Sequence, residues 1–140
     1  MDRLRHRADH VGLTVRDLDK AVAWYTDALG LRVDEEASVD MANLRFAMLI
    51  GPDGFRLELL ARTGSAPGLR AANPLEAALT EGYGHVAFEA TDLDALFQHL
   101  VSKGAGVVWD PRPAPVPHAR MAWVTDPDGN LIELLQRNLD

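Results

Sequence analysis

The chain contains no cysteine, and that absence removes several possibilities at once. It leaves no disulfide framework, no thiolate metal ligand and no thiol nucleophile. No apolar run approaches the roughly 20 residues that a membrane-spanning helix needs. The opening MDRLRHRAD is basic but lacks the apolar h-region of a secretory signal, so a cytoplasmic protein is expected. Positive charge is scarce too: 14 Lys and Arg stand against 21 Asp and Glu, a formal net charge of −7. Without a basic stripe to neutralise phosphates, neither nucleic acid nor membrane is an expected partner. What is present is 140 residues of ordinary composition, 47% apolar and 25% charged, enough for one globular domain with a real core.

The most informative feature is a repetition. PDGFRLELLAR (Pro52–Arg62) is written again, with changes, as PDGNLIELLQR (Pro127–Arg137). The same shift of 75 residues carries DHVGLTVRDLDKAV (Asp9–Val22) onto GHVAFEATDLDALF (Gly84–Phe97). Two blocks at one common offset mark an internal duplication. The domain therefore reads as two repeats, about 8–62 and 83–137, joined by 63–82.

Each copy predicts the same elements. A strand runs from His10 to Val15, and its counterpart from His85 to Ala90. Asp17 or Asp19, and Asp92 or Asp94, are candidate helix N-caps. Leu18, Ala21, Val22, Tyr25 and Leu29 keep helical spacing up to Gly30, and Leu93, Leu96, Phe97 and Leu100 do so up to Gly104. Three strands follow, near Arg32–Asp34, Asn43–Ile50 and Phe55–Ala61, with counterparts Gly106–Trp109, Arg120–Thr125 and Asn130–Gln136. Pro-Asp-Gly between the last two is a hairpin signal. The unit is strand–helix–strand–strand–strand, twice, and one such unit leaves a sheet face without cover. Between the repeats, PLEAALTEG predicts a short helix, whereas DPRPAPVPHAR (Asp110–Arg120) reads as a rigid surface loop.

A glutamate inside an apolar strand is costly unless something pairs with it, and each copy carries one, Glu58 and Glu133. His10 lies 48 residues before Glu58, and His85 lies 48 before Glu133. Singly, a histidine at a strand start is more often a hydrogen-bonded core residue, and a lone glutamate a snorkelling edge residue. Recurrence of both at one offset favours a shared purpose. Two equivalent units about a pseudo-twofold axis can bring all four to one point, where two neutral imidazoles and two carboxylates balance a divalent cation. Such a set suits Zn, Ni, Co, Mn or Fe(II), without choosing among them. His6, His99 and His118 have no repeat partner and are expected at the surface.

DHVGLTVRDLDKAVAWYTDALGLRV, GHVAFEATDLDALFQHL and the paired PDG…ELL motifs resemble the vicinal oxygen chelate superfamily. That group includes glyoxalase I, methylmalonyl-CoA epimerase, extradiol dioxygenases, and fosfomycin- and bleomycin-resistance proteins. The resemblance spans Asp9 to Arg137. It implies an α+β fold of two tandem βαβββ modules forming a cupped mixed sheet around a metal site, often in a homodimer. It also implies a small-molecule substrate bound through vicinal oxygens. His10, Glu58, His85 and Glu133 match the four ligands of glyoxalase I and of the epimerase. Dioxygenases and fosfomycin-resistance enzymes use only the equivalents of His10, His85 and Glu133, and bleomycin-binding members lack the set.

The resemblance thus implies a metal-dependent lyase or isomerase that removes a proton next to a carbonyl and stabilises the resulting enediolate. Glu133 or Glu58 would serve as base. Asp40, aligned with an acidic residue of epimerases on the strand entering the second hairpin, is a third candidate. Glyoxalase I usually places an arginine four residues after its first ligand and often an asparagine four after its first glutamate; this chain has Thr14 and Arg62 there. The link containing PLEAALTEG resembles the epimerase instead. The other expectations are an Fe(II) dioxygenase, with Trp109, Trp123, Met48, Phe46 and Phe88 available for an aromatic pocket, and a binding or resistance protein without turnover.

Overall fold

In the computed structural model, which describes residues 4–137, Asp17 starts the first helix. Its carboxylate accepts the Lys20 backbone N–H at 3.1 Å, satisfying a donor that the helix itself cannot. Helix α1 (Leu18–Leu29) ends at Gly30, whose φ of 68° is the left-handed conformation that glycine adopts without Cβ strain. Leu18, Tyr25 and Ala28 line its buried side.

The chain divides into two compact units, the first ending at Ser65 and the second beginning at Ala66. In the first, β1 (Val11–Thr14), α1, β2 (Arg32–Val39), a 3-10 turn (Asp40–Ala42), β3 (Leu44–Ile50) and β4 (Arg56–Arg62) follow in order. The sheet order is β1-β4-β3-β2, with β1 parallel to β4 and the other pairs antiparallel. Ala47, Leu49, Leu57 and Leu59 have almost no solvent exposure and form the face on which α1 packs. Each such leucine contributes about 1.5–3 kcal/mol by burial.

The second unit repeats this plan. A short helix α2 (Pro74–Ala77) comes first, capped by Asn73, in the stretch where PLEAALTEG predicts one. Then come β5 (His85–Glu89), α3 (Leu93–Ser102), β6 (Gly106–Pro113), β7 (Arg120–Thr125) and β8 (Leu131–Gln136), in sheet order β5-β8-β7-β6. Asp92 caps α3 through the Ala95 N–H at 3.0 Å. Of the paired cap candidates, then, Asp17 and Asp92 cap, whereas Asp19 and Asp94 sit in the first turns and bind Arg45 and Arg120. Both ion pairs obey the 75-residue shift.

Two expectations are corrected. β2 continues past Asp34 to Val39, and β6 past Trp109 to Pro113, so the proline-rich segment begins as strand. Both are edge strands, and all of β2 is exposed. Without a buried side there is no alternation to read. No helix among the described residues is long and apolar enough to cross a membrane.

Candidate metal centre

Glu58 sits in β4 between Leu57 and Leu59, whose side chains enter the helix-packed core. Strand alternation turns its own side chain to the opposite face. There it pairs in register with Gly12 of β1 and Met48 of β3. His10, two residues before Gly12, falls on the same face. Its Nε2 lies 3.8 Å from Glu58 Oε1. The second unit builds the same arrangement: Glu133 pairs with Ala87 and Trp123, and His85 Nε2 lies 3.7 Å from Glu133 Oε1.

Neither distance is a hydrogen bond, yet both are short. Two ligands about 2.0–2.2 Å from one ion lie at most about 4.4 Å apart, so each pair is close enough to share a cation. The glutamate side chains are about one-fifth exposed and the imidazoles 34% and 41%. The nitrogen and oxygen donors, without thiolate, fit a divalent ion of borderline to hard character. Each unit supplies two such side chains. Among the described residues no group of three or more His, Cys, Asp or Glu stands close enough together to hold a metal ion.

The histidines are held differently. Asp9 Oδ2 accepts from His10 Nδ1 at 2.7 Å, and this hydrogen bond is the main reason the Asp9 carboxyl lies below its ordinary range. His85 follows Gly84 instead, and its ring meets the Trp123 indole edge-to-face, centroids 4.6 Å apart and planes at 72°. Trp123 is nearly buried beside Ala77 and Leu131, and its Nε1–H has no partner among the described residues. Sequence reasoning passed over Asp9 as a participant, although an acid immediately before a candidate ligand was a usable signal.

Asp40 is not brought to the first pair. It begins the exposed 3-10 turn beyond Val39, past the register position Leu44–Arg62. That position is already four residues from Met48–Glu58, about 13 Å along the strand. The reason is that β2 runs longer than expected and carries Asp40 to the sheet's far end. Of the aromatic pocket candidates, Phe46, Met48, Trp109 and Trp123 share register with the glutamate-bearing faces, but Phe88 pairs with buried Leu134 on the helix side. His99 and His118 are exposed, as is His6. A cleft of about 420 Å³ in the first unit is lined by Arg16, Arg45 and Arg62 among others, and touches neither His10 nor Glu58.

Comparison with known proteins agrees with this architecture. A lactoylglutathione lyase described as probable, from Vibrio cholerae, is 30% identical over 134 residues, covering 94% of this chain and 91% of that protein. A lactoylglutathione lyase described as putative, from Brassica oleracea, is 29% identical over 136 residues, or 95% of this chain and 45% of its own length. The chain thus spans under half of the plant relative. The crystal structure of glyoxalase I from Zea mays superposes with a TM-score of 0.76 at 27% identity, covering 96% of this chain and 45% of that one. The model of the Glyoxalase/Bleomycin resistance protein/Dioxygenase superfamily matches residues 7–134. The repeated βαβββ units, each with its His–Glu pair, and these matches lead to one conclusion: the chain belongs to that superfamily.

Proposed function

We propose that this protein is a divalent-metal-dependent enzyme of the lyase or isomerase type, acting on a small molecule that presents neighbouring oxygens. The observation that carries the reading is the pairing of His10 with Glu58 at 3.8 Å and of His85 with Glu133 at 3.7 Å. A three-ligand dioxygenase centre would leave Glu58 a bystander. Its geometry against His10 instead copies that of Glu133 against His85, which supports four equivalent ligands. The two pairs would meet at one ion, within a chain or between two copies in a homodimer.

In this reading His10, Glu58, His85 and Glu133 would hold the ion, with His10 Nε2 facing Glu58 Oε1 and His85 Nε2 facing Glu133 Oε1. A divalent ion bound there would supply Lewis acidity toward a substrate carbonyl. The carboxylates have a second task. A glutamate within hydrogen-bond reach of the adjacent C–H takes the proton on an Oε atom and returns it to the same or the neighbouring carbon. Met48 and Trp123, each largely buried and in register with the glutamate of its own unit, give each His–Glu pair an apolar neighbour. Arg62, exposed and on the same face four residues beyond Glu58, offers a cation to an anionic part of the substrate.

Metal content per chain, measured by elemental mass spectrometry, tests the reading. The native protein is expected to retain Zn, Ni, Co or Mn near one per pair of His–Glu sets, and Glu58→Gln to lose most of it. Solvent deuterium should enter the α-position of a vicinal carbonyl substrate with the native protein and not with Glu133→Gln. Iron held equally by the native protein and Glu58→Gln would overturn the four-ligand reading in favour of a dioxygenase. Failure to bind any of these metals after reconstitution would leave a binding protein.

A further inference from the structure

The duplication preserves both His–Glu pairs and departs in residues that flank them. The 75-residue shift carries Asp17 onto Asp92, Asp19 onto Asp94 and Arg45 onto Arg120, with the interactions of each preserved. It carries Asp9 onto Gly84, and Met48 onto Trp123. One imidazole therefore has a carboxylate on its outer nitrogen, and the other has an indole edge against its ring.

The chemical consequence is a difference in tautomer. A carboxylate accepts and cannot donate, so the 2.7 Å contact places the proton of neutral His10 on Nδ1. Its Nε2 is left as a bare lone pair on the side where Glu58 Oε1 stands 3.8 Å away. Two acceptors facing each other at that distance repel until a cation comes between them. His85 has no acid before it, and ring packing against Trp123 fixes a plane without choosing a nitrogen. A free imidazole with no such partner samples both tautomers.

We propose that Asp9 is a positioning residue: it holds His10 as the Nδ1–H tautomer with Nε2 presented for coordination, so that the first His–Glu pair is pre-set and the second is set on binding. The inference rests on the reading of His10 as a ligand, and it assigns a role to a carboxylate that touches neither ion nor substrate. Ligating histidines elsewhere gain from such an outer partner, whose removal costs about 10–100-fold in metal affinity. Asp9 is 62% exposed, which places its effect at the lower end, about 10-fold.

The test starts from the metal-free full-length chain. Imidazole ¹⁵N spectra at about pH 8.5, above the ordinary histidine range, report which nitrogen carries the proton, and His10→Gln and His85→Gln identify the signals. The native protein should show His10 as Nδ1–H and His85 as a mixture. In Asp9→Ala the His10 signal should revert to a mixture while far-UV circular dichroism is unchanged. Gly84→Asp, where an added Cβ meets nothing within 4 Å, should draw His85 to Nδ1–H. Zinc affinity by chelator competition should fall about 10-fold in Asp9→Ala and recover in part in Asp9→Glu. A mixed His10 tautomer in the native protein, or one unmoved by Asp9→Ala, overturns the proposal whether or not zinc binds. A native protein that shows Nδ1–H but binds no zinc keeps the positioning role of Asp9 and removes the metal reading instead.

Discussion

Arg120 grips Asp94 with both terminal nitrogens, at 2.8 and 3.1 Å, and so ties the first turn of α3 to β7. In the first unit Arg45 reaches Asp19 with a single nitrogen at 3.1 Å. The guanidinium of Arg120 holds the Asp94 carboxyl below its ordinary range, chiefly through the hydrogen bond. The folded state therefore binds this proton less readily than the unfolded chain. The stabilisation is present above the unfolded value of 3.8 and is lost as pH falls through the lower folded value. Asp94→Asn should lower Tm by about 1–3 °C at about pH 7, and the difference should shrink as pH falls below 3.8 toward about 2. Thermal melts of the two proteins across that range check it. An equal gap at both pH values would show that the pair acts through packing rather than charge.

The metal reading makes a prediction for the second histidine. His85→Gln should weaken zinc retention by at least about 10-fold while leaving the Arg120–Asp94 tie, on the helix-packed side, undisturbed. Chelator treatment of the native protein should abolish α-proton exchange, and divalent metal should restore it. Exchange that persists after exhaustive chelation would remove the ion from the reaction.

Asp40 lies in an exposed turn, far along the sheet from Glu58. Asp40→Asn should leave kcat/KM within about twofold, because an exposed residue remote from the reacting atoms contributes little to the barrier. A loss of a hundredfold or more, measured by deuterium wash-in, would mean that this carboxylate reaches the substrate.

Leu59 and Leu134 are related by the 75-residue shift, and both have no measurable exposure. Truncation of either to alanine should cost about 2–5 kcal/mol, from lost burial plus the cavity left behind. Urea denaturation gives the value. A cost below about 1 kcal/mol at one of them would mean that its half collapses around the gap.

The sequence made legible what repetition and periodicity encode. The two His–Glu pairs were found because each recurs at a fixed offset, and the helices because their apolar residues keep a 3.6 period and end at Gly30 and near Gly104. Edge strands were harder. Glu35, Glu36 and Ser38 of β2 are exposed, so the ladder to β3 is held by backbone hydrogen bonds that leave no mark on side-chain choice. The place of Asp40 was hard to read for that reason, since the length of β2 determines where its turn falls. The side that Phe88 meets was not legible from the short run HVAFE; its register with Leu134 places it on the helix-packed face. The contacts of Asp9 and Trp123 differ between the halves, so repetition could not point to them.

Every ladder among the described residues closes inside its own unit, and this has a kinetic consequence. The hairpins β2–β3 and β3–β4 join neighbours in sequence and can form locally. The parallel pairing is another matter: Val11 waits for Leu57, and Val86 for Ile132, 46 residues later in each case. Closing a loop of that length costs chain entropy before the contacts repay it. The slow event of folding is thus the same closure performed twice over equal spans. It is also the event that brings His10 beside Glu58 and His85 beside Glu133. Each pair is assembled by the step that completes its sheet, so a half that has not finished folding has no His–Glu pair to offer.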